Sequence, residues 1–373
     1  MANIKINILS PGRFHVCDLA RELNKNGFDV KFYSFVPIWR AQKFGLPKKC
    51  SASVIGFMFP FLFMERILFV NKLWAKKLRI MLQDVITGLY MRKCDVLIAM
   101  SGDFLYAVRR AKKDGALIIL ERGSKHILEQ RKILENIPSL KGKKPVPDIN
   151  VKRELEGYQL ADYIAIATLH VKRSFEQYDF PVKKLFVNPY GVDLSMFKPL
   201  PTIKKVYDII MVGGWSYQKG CDLIIEAIRK TNYTFLHVGA IVDLPFPTGD
   251  RYTHVDPVDQ RNLVYYYNKA KIFVLPSRQE GLAMVQAQAI ACNLPLLGSI
   301  DSGAEDLKAM VDNPECITLL AEYTVDALVA GINETVNKFQ KLHGQIYGGH
   351  AINNLTWEAY GKRYADFLHK IVN

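Results

Sequence analysis

Two short stretches place a charged residue and a glycine immediately before an apolar helix. In "PSRQEGLAMVQAQAIACNLP" (276–295), Glu280 and Gly281 precede the apolar run, and in "MVGGWSYQKGCDLIIEAI" (211–228), Lys219 and Gly220 do the same. A buried strand precedes each loop, "KIFVLP" in one case and "YDIIMV" in the other, so both loops lie at the carboxyl end of a strand. The first N–H groups of a helix have no intrahelical acceptor, and the helix dipole adds roughly half a positive charge. The backbone of Gly281, Leu282, Ala283 and Met284 can therefore hold a diphosphate. Gly213 and Gly214 let the chain turn after the upstream strand, and Lys219 can reach the same crevice. A diphosphate repels Glu280, which is better suited to accept hydrogen bonds from sugar hydroxyls at the ligand's other end. The pair points to a nucleotide sugar.

The elements around these loops set the fold class. Apolar strands alternate with amphipathic stretches from "NIKINIL" through "CDVLIAM", "ALIILE" and "ADYIAIAT". After the Pro- and Gly-rich segment 188–205 the rhythm restarts with "YDIIMVGG", "YTFLHVGA" and "KIFVLPS". That rhythm predicts α/β architecture, with two doubly wound Rossmann-like lobes joined near residue 195. The short helix should run from about Ala283 to Cys292. Within it Gln286 lies about 200° from Gln288, which sends Gln286 to the outer or inter-helix surface. Trp357, Tyr360, Tyr364, Phe367 and Leu368 recur at helical spacing and predict a terminal helix. Residues 139–150 read as a basic surface loop.

Composition narrows the partners. The chain has 373 residues and a net charge of +14, which implies an anionic partner. No recognised nucleic-acid module accompanies the charge, so nucleic acid is not expected. Cys17, Cys50, Cys94, Cys221, Cys292 and Cys316 form neither a Cys-x-x-Cys pair nor a disulfide framework, and no His/Cys cluster suggests a metal. A reducing cytoplasm and no cleaved leader are the expectations. Pro60, Glu65 and Arg66 interrupt the apolar run 51–70, leaving it short of the ~20 residues a membrane span needs. Between 64 and 83, Ile67, Val70, Trp74, Leu78 and Met81 alternate helically with Lys72, Lys76 and Arg79, a pattern suited to peripheral docking on an anionic membrane.

The blocks "NPYGVD", "VGGWSYQKGCDLIIEA", "PSRQEGLAMVQAQAIACNLPLLGS" and "TWEAYGKRY" resemble family 4 glycosyltransferases, and "ERGSKHI" and "RELEGYQLADYIAIAT" resemble segments of its bacterial members. The resemblance implies the GT-B fold. On this reading a first lobe (1–194) takes the acceptor, a second lobe (195–355) takes the donor, and a final helix (356–373) packs back on the first. It implies a retaining enzyme that moves a hexose from a nucleotide diphosphate sugar, most simply a UDP-sugar, to a lipid-linked or cell-surface glycan. Such an enzyme uses no metal or other cofactor. Gly12 takes the place of a glycine that lets the first loop approach the donor, and His126 that of a histidine near the anomeric carbon, with His15 a lesser candidate.

Two departures stand out against the family pattern. Gln288 replaces the second acid, which accepts from the ribose, and Gly214 replaces the arginine of a phosphate clamp whose lysine is Lys219. Arg13, Arg122 and Lys125 are candidates to supply the missing cation. Losing one charged hydrogen bond costs roughly 1.5 to 3 kcal/mol. Two other readings stay open: a nucleotide-sugar epimerase of the same fold, which needs no acceptor, and a non-catalytic nucleotide-sugar-binding protein.

Overall fold

The computed structural model describes residues 4–58, 72–341 and 351–372. Two parallel sheets form two lobes. The first contains β1 (Lys5–Ser10), β2 (Asp29–Ser34), β3 (Ser51–Ser53), β4 (Val96–Met100), β5 (Leu117–Arg122), β6 (Tyr163–Ile166) and β7 (Leu185–Val187), in the order β3-β2-β1-β4-β5-β6-β7. Ile6 pairs with Val30 on one side and with Val96 on the other, which fixes the register of β1 at the centre. Ile6, Ile8, Leu97 and Ile98 are fully buried, as expected of strands covered on both faces, whose sequences read as continuous apolar runs.

The second lobe contains β8 (Tyr207–Val212), β9 (Phe235–Val238), β10 (Tyr252–Val255), β11 (Ala270–Leu275), β12 (Leu296–Ser299) and β13 (Ile317–Leu320), in the order β10-β9-β8-β11-β12-β13. The order reverses between β8 and β11. In such sheets the crevice opens beyond the carboxyl ends of the strands at the reversal. Here that selects the loops after Val212 and Leu275, the two that carry Lys219 and Glu280. In the first lobe the reversal falls between β1 and β4.

The helix Trp357–Val372 crosses back to the first lobe. Gly361 lies so close to Glu22 of the helix Phe14–Lys25 that a Cβ there would collide with it, and the rings of Phe28 and His369 lie 5.0 Å apart. Arg363 donates to Asn188 Oδ1 at 2.7 Å and to the Pro189 carbonyl at 2.8 Å, which ties this helix to the segment joining the lobes.

The lobes also meet through the segments that follow β5 and β6 on one side and β11 and β12 on the other. Lys125 is ion-paired with Asp301, and the Gln279 amide donates to the Ser124 hydroxyl. His170 Nε2 lies 3.0 Å from the Glu280 carbonyl.

Residues 59–71, which hold most of the apolar run 51–70 and the first part of the 64–83 pattern, lie outside the described residues. A helix runs from Lys72 to Tyr90, with Met81 and Leu89 about 60% exposed, Val85 exposed between them and Asp84 buried. No described helix is long and apolar enough to cross a membrane. The segment 139–150 is not simply a surface loop: Leu140 and Val146 are buried, and Asp148 begins the helix Asp148–Leu160.

Candidate functional site

Gly220 shapes the site. It caps the helix Cys221–Arg229 in the left-handed region at φ +73°, and a Cβ there would collide with the Pro276 carbonyl. Only glycine adopts that backbone readily and permits so close an approach. Arg278 clamps the two loops: its amide donates to the Gln218 carbonyl at 2.9 Å, its guanidinium donates to the Tyr217 carbonyl at 2.6 Å, and it grips Asp222 bidentately at 2.6 and 2.8 Å. Residue type and spacing alone do not single out Arg278, although its position two residues before Glu280 is a usable signal.

The clamp brings Lys219 against Glu280 as an ion pair, and the Ser277 hydroxyl donates to Glu280 Oε1 at 3.1 Å. Both residues line a cavity of about 590 Å³ between the lobes, within the ~300–1,000 Å³ typical of small-ligand sites. Gly213, Leu282, Ala283, Met284 and Gln288 line it as well. Gly281 sits just behind, packed so closely on the Gly123 carbonyl that a side chain would not fit. Gly214 does not line the cavity; it packs on Val242.

The helix Met284–Ala291 starts at this cavity. The Gln286 amide is the first to turn back, donating to the Ala283 carbonyl at 2.9 Å. The amides of Met284 and Val285 precede it and have no intrahelical acceptor, and both residues line the cavity. Gln288 accepts at its amide oxygen from the Tyr267 hydroxyl at 3.0 Å, so its NH2 group is the part left for a ligand. Gln286 corrects an expectation. It is fully buried rather than on an outer or inter-helix surface, turned toward Gly298 of β12, and its side-chain amide has no hydrogen-bond partner among the described residues.

The first lobe supplies the opposite wall, including Phe14, His15, Arg122, Gly123 and Tyr190. Gly12 lies in the loop just before this wall, against the Phe14 ring. The three candidate cations are engaged elsewhere. Arg122 donates to Glu154 at 2.7 Å, to Gln130 at 2.6 Å and to the Lys125 carbonyl at 2.8 and 3.1 Å. Lys125 is held by Asp301, and Arg13 by Gln260 at 2.6 Å and Asp18 at 3.4 Å. Of the two cations that line the cavity, Arg122 spends its donors on Glu154, Gln130 and the Lys125 carbonyl, whereas the Lys219 ammonium, paired with Glu280, has further N–H groups to turn to a ligand.

His126 does not line the cavity. It caps the helix Ile127–Glu135, accepting from the Leu128 amide at 3.4 Å, and stacks on Tyr178 at 4.5 Å. Burial, with the nearby Arg122 charge adding to it, pushes its pKa down to about 4. The histidine in the cavity wall is His15, its Nε2 3.0 Å from Glu121 Oε2 and its ring 4.1 Å from that of Tyr190. The sequence signal for this pair was a carboxylate closing the apolar strand "ALIILE".

Residues 206–338, which carry both cavity-forming loops of the second lobe, match the family model "Glycosyl transferases group 1". That match falls within the second lobe and covers just over a third of the chain. Around that region, a relative named "Probable sucrose-phosphate synthase" from Thermosipho melanesiensis is 23% identical over 253 residues, covering 60% of this chain and 57% of that protein. An uncharacterised glycosyltransferase from Methanocaldococcus jannaschii is 25% identical over 107 residues, 26% of this chain and 30% of the relative. The chain thus matches only about a third to just over half of the length of these curated relatives.

The whole architecture is similar to that of solved glycosyltransferases. A sucrose-phosphate synthase from Thermosynechococcus elongatus superposes with TM-score 0.72 at 14% identity, covering 99% of each chain. Anabaena HepE in complex with UDP-glucose superposes with TM-score 0.66 at 13% identity, covering 99% of this chain and 100% of that one. TarM superposes with TM-score 0.69 at 12% identity, again covering 99% of each. The fold is GT-B.

Proposed function

We propose that the protein is a retaining hexosyltransferase of the family 4 type, acting on a nucleotide diphosphate sugar, with UDP-sugars the first candidates. The observation that carries this reading is the Lys219–Glu280 pair, held beside the unbonded amides of Met284 and Val285 in a cavity between two lobes. Cleaving the bond from sugar to diphosphate develops negative charge on the departing group, and preorganised donors in a partly enclosed site stabilise it. Lys219 and the two amides fit that task. Glu280 can release Lys219 to the diphosphate and accept from sugar hydroxyls, and the NH2 of Gln288 can donate to the nucleoside. His15, fixed by Glu121, stands on the wall from which an acceptor would approach. Retention follows if the acceptor attacks on the leaving-group face and gives its proton to the departing phosphate.

A thermal-shift screen with UDP-, GDP- and ADP-sugars, followed by NMR assignment of the product's anomeric configuration, tests the reading. Stabilisation by one nucleotide sugar and a retained configuration support it. Conversion of the donor without an acceptor would favour the epimerase instead, and binding without turnover the non-catalytic protein.

The acceptor is proposed to be a glycan or lipid-linked saccharide. Met81, Val85 and Leu89 face solvent in one row at i, i+4 and i+8, an arrangement that supports peripheral docking on the cytoplasmic membrane face. Flotation with anionic liposomes at low salt tests this, and the absence of binding there counts against it.

A further inference from the structure

A second cavity, of about 570 Å³, opens where the two lobes and the final helix meet, and none of its lining residues lines the cavity that holds Lys219 and Glu280. Its size also falls within the ~300–1,000 Å³ typical of small-ligand sites. The first lobe contributes the helix Leu169–Glu176, the second contributes the helix Ala304–Lys308 and the two residues after it, and the final helix contributes Arg363. Leu169, Val187, Pro189, Ala309 and Met310 make much of the wall apolar.

The charged groups of this cavity pair off with one left over. Arg173 lies 3.3 Å from Glu305. Asp306 accepts from the Leu169 amide at 2.6 Å and lies 3.6 Å from His170 Nδ1. Arg363 donates only to neutral oxygens, those of Asn188 at 2.7 Å, Pro189 at 2.8 Å and Asn354 at 3.0 Å, and has no carboxylate partner among the described residues. Three of its five N–H groups are used, which leaves one on each terminal nitrogen. Burial pushes its pKa down from the usual guanidinium value, with Tyr360 acting the other way. A cation taken out of water without a counter-ion is destabilising, and an anion in contact with it offsets that loss. One N–H on each terminal nitrogen matches the two oxygens of a carboxylate. A phosphate dianion suits the site less, because Glu305 and Asp306 stand on the same wall.

We infer that this cavity binds a small monocarboxylate with an apolar chain or ring, its carboxylate on Arg363 and its apolar part along Leu169, Val187 and Met310, and that its occupancy favours nucleotide binding in the cleft between the lobes. The coupling runs through His170. This residue follows Leu169, its Nε2 lies 3.0 Å from the Glu280 carbonyl, and Asp306 flanks its other ring nitrogen. A ligand touching both the helix Leu169–Glu176 and the segment around Asp306 stabilises the arrangement in which the first lobe holds the Glu280 loop. A nucleotide held by that loop then binds more tightly, and the effect is reciprocal. Carboxylate binding stands on the cavity alone; the coupling rests on the donor site proposed above.

Calorimetry on the full chain tests this with decanoate, and with decanol, decyltrimethylammonium and decyl phosphate as neutral, cationic and dianionic counterparts, all below their micelle concentrations. Decanoate should bind with one-to-one stoichiometry, at least about tenfold more tightly than decanol or the cation, as expected for one charged hydrogen-bonded pair. Decyl phosphate should bind no more tightly than decanoate. Arg363→Gln should lose about tenfold in decanoate affinity. Met310→Glu, which adds a carboxylate to the wall without removing an Arg363 hydrogen bond, should lose at least as much. Without decanoate both variants should bind UDP as the wild type does, which shows that the fold and donor site are intact. Saturating decanoate should raise the UDP affinity of the wild type about fivefold. His170→Ala should reduce that gain while leaving decanoate affinity unchanged in the absence of UDP.

The inference is overturned if decanoate does not bind, if decanol or the cation binds as tightly, if decyl phosphate binds more tightly, or if either Arg363→Gln or Met310→Glu binds decanoate as the wild type does. Unchanged UDP affinity at saturating decanoate would overturn the coupling. Failure of UDP itself to bind the wild type would sink the donor site and leave the decanoate titrations to judge the cavity.

Discussion

The loop after β11 and the loop after β5 occupy equivalent places at the carboxyl ends of central strands, both carry charged residues, and they touch one another. The chain uses them differently. In the β11 loop, Arg278 takes up the structural load by clamping Asp222 and two backbone groups, which leaves Glu280 with Lys219 at the cavity. In the β5 loop the charged residues are themselves the structure: Arg122 is held by Glu154 and Gln130, Lys125 by Asp301, and His126 caps a helix within an aromatic cluster. In this chain the loop whose structural hydrogen bonds are met by another side chain is the one whose charged pair is left at the cavity.

Mutations can break or sharpen this contrast. The largest effect is expected in the β11 loop and its partner: Lys219→Ala and Glu280→Ala should each lower turnover at least about tenfold while the protein stays folded, since a charged hydrogen bond is worth roughly 1.5 to 3 kcal/mol. Steady-state rates with circular dichroism as a fold control check this, and wild-type turnover in either variant removes that residue from the site.

A smaller effect separates the two histidines. His15→Ala should cost on the order of tenfold in kcat/KM, as expected for one lost hydrogen bond in the reacting cavity. His126→Asn, which keeps a helix-capping side chain, should stay within about twofold of wild type. The reverse ranking would return His126 to the catalytic role that the sequence suggested.

The smallest effect concerns stability. His126 is neutral in the fold down to about pH 4, whereas in the unfolded chain it takes up a proton near 6.5. Between those values the unfolded chain binds more protons, so stability falls as the pH is lowered through this window. His126→Asn should be less acid-sensitive in thermal melts. Some sensitivity should persist, because burial also pushes the His237 pKa down to about 4.

What the sequence revealed follows from the range of the interactions involved. The two lobes were legible because parallel strands are continuous apolar runs, and the Lys219–Gly220 and Glu280–Gly281 loops because glycine and charge adjoin within each. The roles of Arg122, Lys125 and His126 were not, since Glu154, Asp301 and Tyr178 lie 32, 176 and 52 residues away along the chain. Gln286 was misplaced because helical geometry gives an angle relative to Gln288 but not which neighbour lies there, and here that neighbour is β12. His15 was only a lesser candidate from its place in the first helix, because its partner Glu121 lies 106 residues further along the chain.

The central claim is that a nucleotide diphosphate is held between the Lys219 ammonium and the first amides of the Met284–Ala291 helix. A crystal structure with UDP tests it most directly. The account predicts diphosphate oxygens within ~3 Å of Lys219 Nζ and of the Met284 and Val285 amides. A diphosphate bound elsewhere, with Lys219 still paired to Glu280, would contradict it.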